Sequence, residues 1–411
     1  MANKYNKGKY RLSIAGDNKI QNKPIIIIDE DGNDVLGKAE DAFSIVGSFD
    51  VANLPTLDGF NDAGKVAFVK DTRKYATWDG YGWTYMDGTP VTPRYLTFTA
   101  NEDGVSLAFF FNRNDAGEDQ PNPDITFEKS LDFGLTWAEH TIGVYDPDDG
   151  DTSNLDIITL DEGESVMFKG VNSENFTVGD LENDEGIYIG FYLDGSAAAS
   201  GDITSLINGV GGDAPVQFMQ FYSMFQGCTG LTSAPALPAT TLASYCYNSM
   251  FSGCTGLTSA PALPATTLAQ SCYNSMFQGC TGLTSAPALP ATTLAQSCYS
   301  SMFYDCTGLT SAPALPATTL ASYCYNPMVQ GCTGITSYDV ATLNNSSSVF
   351  NNNSACTSFT IHADTPPTIA NNTITGLKAD CVIYVPSASV DAYKAKQYWS
   401  ARAAYIQAIS E

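Results

Sequence analysis

Residues 228–253 read CTGLTSAPALPATTLASYCYNSMFSG, and near-copies of this 26-residue block begin at Cys254, Cys280 and Cys306. A degenerate fifth copy, CTGITSYDVATL, opens at Cys332. Self-similarity at a fixed period of roughly 20 to 50 residues marks stacked repeats, in which each unit shares a core with its neighbours because it cannot bury its own apolar face. The block therefore predicts a C-terminal solenoid, and the rest of the chain is read outward from it.

Within one unit, Leu231 to Leu237 is too short for a helix and is closed by Pro238, which suits a short strand. Leu231, Ala234 and Leu237 are the expected inward contacts, with Ala236 and Leu237 competing for one position. Pro235 can donate no ladder hydrogen bond, so the strand should be irregular there. Thr240 and Thr241 are plausible N-caps. Leu242, Cys246 and Met250 follow at i, i+4 and i+8, a spacing that predicts one face of a short helix. Gly253 supplies the stop, since glycine tolerates the left-handed conformation. The expected unit is strand, turn, helix, turn.

In-register stacking predicts three internal columns: Leu231, Leu257, Leu283, Leu309 and Ile335; Leu242, Leu268, Leu294 and Leu320; and Met250, Met276, Met302 and Met328. A fully buried Leu or Met contributes about 1.5–3 kcal/mol of transfer free energy. The copies differ at Ser244/Gln270/Gln296/Ser322, at Tyr245/Ser271/Ser297/Tyr323 and at Gln226/Ser252/Gln278/Tyr304. Drift on a solvated outer face explains such differences most simply. A contact surface tuned for a ligand would use the same positions, and its candidate residues are Tyr245, Gln270, Gln296, Tyr304 and Tyr323.

The segments L-T-S-A-P-A-L-P-A-T-T-L-A and C-Y-x-x-M-F-x-G-C resemble the leucine-rich repeats of the BspA type, found in surface proteins of gut Bacteroides and of the crAss-like and other phages that infect them. Similarity covers residues 215–411. It implies a repeat fold used as a binding surface, and fold alone assigns no activity.

The 411 residues carry a net charge of −25, unevenly spread. Residues 1–220 hold 38 of the 44 acids and 15 of the 19 Lys and Arg, a net of −23; the remainder nets −2. With no basic patch, binding nucleic acid through its phosphates is disfavoured. All eleven cysteines lie at or beyond Cys228, most of them in two series that recur every 26 residues. Such series read as core columns of free thiols rather than a disulfide framework, and no C-x-x-C pair suggests zinc. The N-terminus, MANKYNKGKYRLSIAGDNK, leads into no apolar h-region, so neither a signal peptide nor a membrane span is expected.

Upstream, five regions are expected: an N-terminal attachment segment (1–45), a small β-module (46–92), a β-sandwich (93–200), the solenoid (201–375) and a strand–helix cap (376–411). A strand is expected over 24–28, followed by a hairpin turn over 29–34. Three strands over 65–70, 74–78 and 83–86 resemble the small β-modules of phage head and tail fibres, with Trp78, Tyr81 and Trp83 read as core or trimer-contact aromatics or as glycan-stacking rings. The sandwich strands are expected at 95–99, 105–110, 125–128, 166–169 and 187–192, with turns at regular spacing. Residues 130–137 (SLDFGLTW) and 163–170 (GESVMFKG) resemble the β-domain that precedes such repeats. Asp146, Asp148, Asp149, Asp151 and Asp156 form an acidic stretch whose spacing fits no standard calcium loop. Residues 200–215 read as a linker or first capping turn, and 344–353 as a polar loop. A final helix capped by Ser387 or Ser389 is expected to run through Ile409, with Val390, Tyr393 and Trp399 facing the core.

With His140 and His362 the only histidines, and no nucleophile elbow, HExxH or phosphate loop, catalysis is not expected. Neither a cofactor nor a metal is expected. The resemblance implies a multidomain, mainly β phage fibre protein with an α/β leucine-rich-repeat end. It would be fixed to other virion proteins through its N-terminal region, trimeric by family analogy, and would display the repeats to host glycan or protein. A bacterial cell-surface adhesin is the alternative.

Overall fold

The computed structural model describes residues 94–114, 122–145, 150–172, 175–180, 185–343, 349–350 and 352–409, together with six earlier strands. It is mainly β with few helices, and its sheets are open rather than closed into barrels. Two compact units divide it, Met1–Arg94 and Tyr95–Glu411.

In the first unit, β1 (Tyr10–Ser13) pairs antiparallel with β2 (Ile26–Asp29). A second sheet has the order β3 (Ile45–Phe49), β4 (Val66–Val69), β5 (Lys74–Trp78) and β6 (Trp83–Tyr85). Strands β4 to β6 are the three expected from sequence; β3, parallel to β4, was not foreseen, because its Ile-Val-Gly-Ser-Phe is short and interrupted by glycine. Trp78 and Trp83 are register partners. The turn at 30–34 and Tyr81 lie outside the described residues.

The second unit begins with two facing sheets. One contains β7 (Leu96–Ala100), β9 (Phe127–Ser130), β10 (Ala138–His140), β13 (Ser165–Lys169), β16 (Ala197–Ser200) and β17 (Leu231–Ser233), in the order β10-β9-β13-β7-β16-β17. The other contains β8 (Val105–Asn114), β11 (Gly143–Val144), β12 (Ile158–Leu160), β14 (Val178–Asp180) and β15 (Glu185–Asp194), with β8 and β15 at its centre. Alternate residues of β7 point inward, as a half-buried strand requires. Phenylalanines bridge the sheets: Phe98 stacks on Phe191 at 4.3 Å, and Phe109 meets Phe127 and Phe168 edge-on at 4.9 and 5.0 Å.

Residues 200–215 are not a linker. Asp202, Ile203, Thr204, Ser205 and Leu206 are fully buried, and Asp202 accepts hydrogen bonds from Thr204 N (3.0 Å) and Gly212 N (2.6 Å). A single helical turn, α1 (Ser205–Asn208), closes the segment. Composition misleads here because the Gly and Ser residues serve tight turns around a buried carboxylate. Beyond it, β16 of the sheet runs parallel to β17 of the first repeat, and Phe225 packs on Phe98 and Phe191. One hydrophobic core runs without a break from Leu96 to Ile406.

Each 26-residue copy forms one coil lying on the next. The columns expected from sequence are internal: Leu231, Leu257, Leu283, Leu309, Ile335 and the four methionines are fully buried. Leu242 and Leu294 are buried, whereas Leu268 and Leu320 are half-buried. Leu237, not Ala236, takes the inward position, and Ala234 packs at the margin. Of the four full copies only the first holds a regular strand; the later ones are joined by single parallel bridges such as Ser285 with Ser311, in keeping with the prolines that interrupt the ladder, and a strand returns in the degenerate fifth copy, which lacks those prolines.

The expected helix at 242–253 is corrected. The segment is a run of turns in which alternate backbone amides go to different places. Cys246, Asn248, Met250 and Ser252 donate to the carbonyl three residues back, whereas Tyr245, Tyr247, Ser249, Phe251 and Gly253 donate to the next coil, to Gln270, Cys272, Asn274, Met276 and Gln278. Left-handed residues recur every fourth position, at Tyr245 (φ 59°), Ser249 (55°) and Gly253 (76°). A helix would consume all these amides internally; here half of them hold neighbouring coils together. Glycine is demanded on the opposite side, where a Cβ on Gly256 would lie 2.4 Å from the Thr229 carbonyl oxygen.

Two aromatic columns not foreseen from sequence fill the interior. Tyr247, Tyr273, Tyr299 and Tyr325 stack at 5.9, 5.9 and 6.4 Å, and Phe225, Phe251, Phe277 and Phe303 at 5.5, 5.7 and 5.7 Å. All eleven cysteines are free and buried. Burial pushes the Cys228, Cys272 and Cys280 thiols up to about 12.

The C-terminal segment continues the ladder. Strands β18 (Ser337–Val340), β19 (Ser358–Ile361), β20 (Val382–Val385) and β21 (Ile406–Ala408) form a parallel sheet in sequence order. The expected helix through Ile409 is reduced to α2 (Val390–Ala395), flanked by short 3-10 turns. Ser389 does not cap it; its hydroxyl donates to the Asp364 carbonyl at 2.5 Å. Tyr393 and Trp399 are fully buried and meet edge-on at 5.0 Å. Of the expected polar loop, Phe350 and Asn353 are buried, the latter accepting the Tyr338 hydroxyl at 2.9 Å; residues 344–348 and 351 lie outside the described residues.

Candidate ligand-contact surface

Two of the five candidate residues are brought together. Gln270 Nε2 donates to the Tyr245 hydroxyl at 2.9 Å, across one coil boundary. The left-handed φ of Tyr245 turns its side chain out of the core, while the adjacent Cys246 and Tyr247 point in. Gln296 is exposed one coil further, opposite Ser271, so no second tyrosine meets it. Tyr323 is 56% exposed in the last regular coil. Tyr304 is half-buried and stands in the separate column of Gln226, Ser252 and Gln278.

Sequence reading missed the partners of Tyr245 on its other side. Phe218, 48% exposed, meets it edge-on at 5.8 Å, and Tyr222 packs against the same cluster, edge-on to Tyr188 at 5.5 Å. Tyr188 comes from β15 of the second of the two facing sheets; burial, with Tyr222 beside it, pushes its phenol up to about 12, so it stays neutral. The signal was present in the chain. Residues 220–228 (QFYSMFQGC) repeat the C-Y-x-x-M-F-x-G-C pattern one period before its first full copy, with Ser223 left-handed at φ 51° like Ser249. This half-coil carries aromatic Phe218 and Tyr222 where later coils carry Ser, Gln or Asn. The result is an outer patch of Phe218, Tyr222 and Tyr245 with the Gln270 amide at its edge. Ring faces and amide donors suit a polar, partly apolar ligand such as a sugar, and nothing in the cluster provides a nucleophile or a general base.

A second exposed apolar group sits on the β9–β10 turn. Asp132 accepts the Ser130 hydroxyl (2.7 Å), Thr136 N (2.8 Å) and the Thr136 hydroxyl (2.6 Å). The Thr136 bonds, followed by that of Ser130, hold its carboxyl down at about 2. Fixed in this way, the turn presents Leu131, Phe133 and Leu135 to solvent at 60%, 75% and 85% exposure.

In the acidic stretch, Asp146, Asp148 and Asp149 lie outside the described residues. Asp151 caps Ser153 N at 2.9 Å, and Asp156 accepts Lys129 Nζ at 2.6 Å and Thr141 N at 3.1 Å. Asp156 also lies 3.1 Å from His140 Nδ1, off the line of a full hydrogen bond, while His140 Nε2 accepts from Phe109 N at 3.2 Å. Burial holds His140 down at about 4, against the pull of Asp156, so it is a neutral core residue. Among the described residues no group of three His, Cys, Asp or Glu side chains could hold a metal ion, and no helix is long and apolar enough to cross a membrane.

No protein-family model matches the chain, and no curated protein matches it.

Proposed function

We propose that residues 201–375 are a leucine-rich-repeat solenoid of the BspA type and that the chain is a structural fibre protein of a phage virion, at head or tail. In this reading the N-terminal region joins other virion proteins and the fibre is a homotrimer. The coils display an adhesive surface to host glycan or protein, and the protein binds without catalysing. The observation that carries the adhesive role is the outer cluster of Phe218, Tyr222, Tyr245 and Gln270, where flat rings and an amide are held ready by a rigid stack. Many copies per particle make a weak contact sufficient through avidity.

The test uses virions carrying Tyr245→Ala with Gln270→Ala. Both side chains lie outside the main core, so the expected result is normal incorporation of the protein into particles with adsorption to host cells reduced at least tenfold. Unchanged adsorption would remove the role of this surface. Finding the protein on uninfected bacteria, and not in particles, would replace the fibre reading with that of a cell-surface adhesin.

A further inference from the structure

The column of cysteines that begins each coil changes character at the end of the stack. Cys254, Cys280, Cys306 and Cys332 each donate their thiol to the carbonyl of a phenylalanine in the preceding coil, at 3.0, 3.0, 2.9 and 2.9 Å. These thiols are held by backbone and are inert. The spacing then shortens: Cys332 to Cys356 is 24 residues and Cys356 to Cys381 is 25, against 26 in the regular copies. In the phenylalanine column, Val329 follows Phe303. The thiol of Cys356 instead lies 3.2 Å from that of Cys381, its next carbonyl being Ser358 O at 3.3 Å.

We propose that Cys356 and Cys381 are a thiol-oxidation site that closes to a disulfide and staples the last coils together. Their backbones already suit the bond. Val382 N, next to Cys381, donates to Thr357 O, next to Cys356, at 3.0 Å, and Ser358 and Val382 are register partners of the parallel pair β19 and β20. That register sets Cys381 opposite Thr357, one residue beyond Cys356; with neighbouring strands about 4.8 Å apart and a rise of about 3.3 Å per residue, such a diagonal pair lies about 5.8 Å apart, inside the roughly 4.4–6.8 Å that a disulfide spans between Cα atoms.

The two thiols are unequal. The hydrogen bond from Cys356 draws Cys381 below the ordinary thiol range against the effect of burial, with Arg402 adding to the pull. Cys356 is pushed up by the same bond and by burial. Arg402 is fixed there by its bonds to the carbonyls of Lys378 (2.8 Å) and Leu377 (2.7 Å). Cys381 is therefore the attacking sulfur. As a thiolate it displaces one thiolate from a small disulfide such as oxidised glutathione and forms a mixed disulfide. Cys356 then loses its proton to water and attacks the sulfur of Cys381, releasing the second thiolate. Two protein thiols are oxidised and one glutathione disulfide is reduced to two thiols. Both side chains are shielded from solvent, so oxidation waits on opening of the end of the stack, where β21 is the last strand covering β20.

The experiment incubates the full-length protein with excess oxidised glutathione, quenches, denatures and alkylates. The expected result is that two of the eleven cysteines escape alkylation, with peptides containing Cys356 and Cys381 found linked. Cys356→Ser should instead accumulate a glutathione adduct on Cys381, while the column thiols still alkylate. Alkylation of all eleven after oxidation, or a link between any other pair, overturns the proposal.

Discussion

Replacing Ser301 with glycine tests the turn geometry of the coils by the sign of its effect. Ser301 sits at φ 54°, and its N–H donates to Asn326 O of the next coil at 3.0 Å. At the equivalent Ser249 and Ser275 the hydroxyl also binds the preceding asparagine, at 2.8 and 2.9 Å, but Ser301 follows Ser300, so little besides backbone strain changes. A left-handed L-residue costs about 1–2 kcal/mol. Glycine removes that cost but gives back ~0.4–1 kcal/mol through the freer unfolded chain. The net expectation is stabilisation by about 0.5–1 kcal/mol. In a helix interior the same change would cost about 0.5 kcal/mol, from the difference in propensity between serine and glycine. Native-state hydrogen exchange reads the local effect without assuming that the stack unfolds in one step. The amides of Phe303 and Asp305, bonded to Met328 O and Gln330 O, should exchange about 2–5-fold more slowly, the factor that the stabilisation implies at 25 °C. Faster exchange would refute the turn geometry. Gly279→Ala serves as the control: at φ 71°, with no atom nearer than 3.8 Å to the added Cβ, the same two terms act with reversed sign, and it should destabilise by about 0.5–1 kcal/mol.

Two other outcomes follow from the core. Phe277 stacks on both Phe251 and Phe303 at 5.7 Å, whereas the residue after Phe303 in that column is Val329. Phe277→Leu should therefore cost about 0.5–1.5 kcal/mol more than Phe303→Leu, one ring contact, and equal urea midpoints would contradict the column. His140 supplies the pH dependence: held down from 6.5 to about 4 by burial, it contributes stability that is fully present above pH 6.5 and lost as pH falls through about 4. The difference between the two values corresponds to roughly 3 kcal/mol. His140→Gln should be less stable at pH 7 and lose less on acidification; parallel pH profiles for the two proteins would exclude this role.

The repeat and its columns were legible because identical side chains every 26 residues admit few arrangements. The local geometry of the second half was misread because Leu242, Cys246 and Met250 at i, i+4 and i+8 satisfy a helix and a four-residue turn alike. What separates them is the pairing of inward residues. Cys246 with Tyr247 and Met250 with Phe251 are buried, the two residues between face outward, and Cys254 is buried at the same interval without a partner, since Thr255 is exposed. A strict period of four drifts off the face of a helix of 3.6 residues per turn. The residues that would betray the turns are Tyr245, Ser249 and Gly253, of which glycine alone advertises a left-handed backbone. Pro327 marks where the pattern stops, since its fixed negative φ cannot occupy the place that Ser249, Ser275 and Ser301 take.

Regularity itself decides where a recognition surface can lie on such a stack. The inner columns are constrained to identity by packing, and inter-coil bonds fix the backbone of the outer turns, so only outward side chains are free to differ. In the middle coils those side chains are mostly Ser, Gln and Asn, polar and hydrated, with Tyr304 a lone aromatic. Aromatic side chains gather instead where the facing sheets meet the first half-coil: Tyr188 of β15 braces Tyr222, and Phe218 braces Tyr245. That cluster draws on two differently built regions, so the period of the repeat reaches its half-coil members but not Tyr188 of β15. A ligand gripping Phe218, Tyr222 and Tyr245 would touch residues that the shared core between Phe98, Phe191 and Phe225 holds at fixed separation. Rigidity supplied by that joint lowers the ordering cost of a contact, and this places the proposed adhesive surface at the base of the coils rather than along their length.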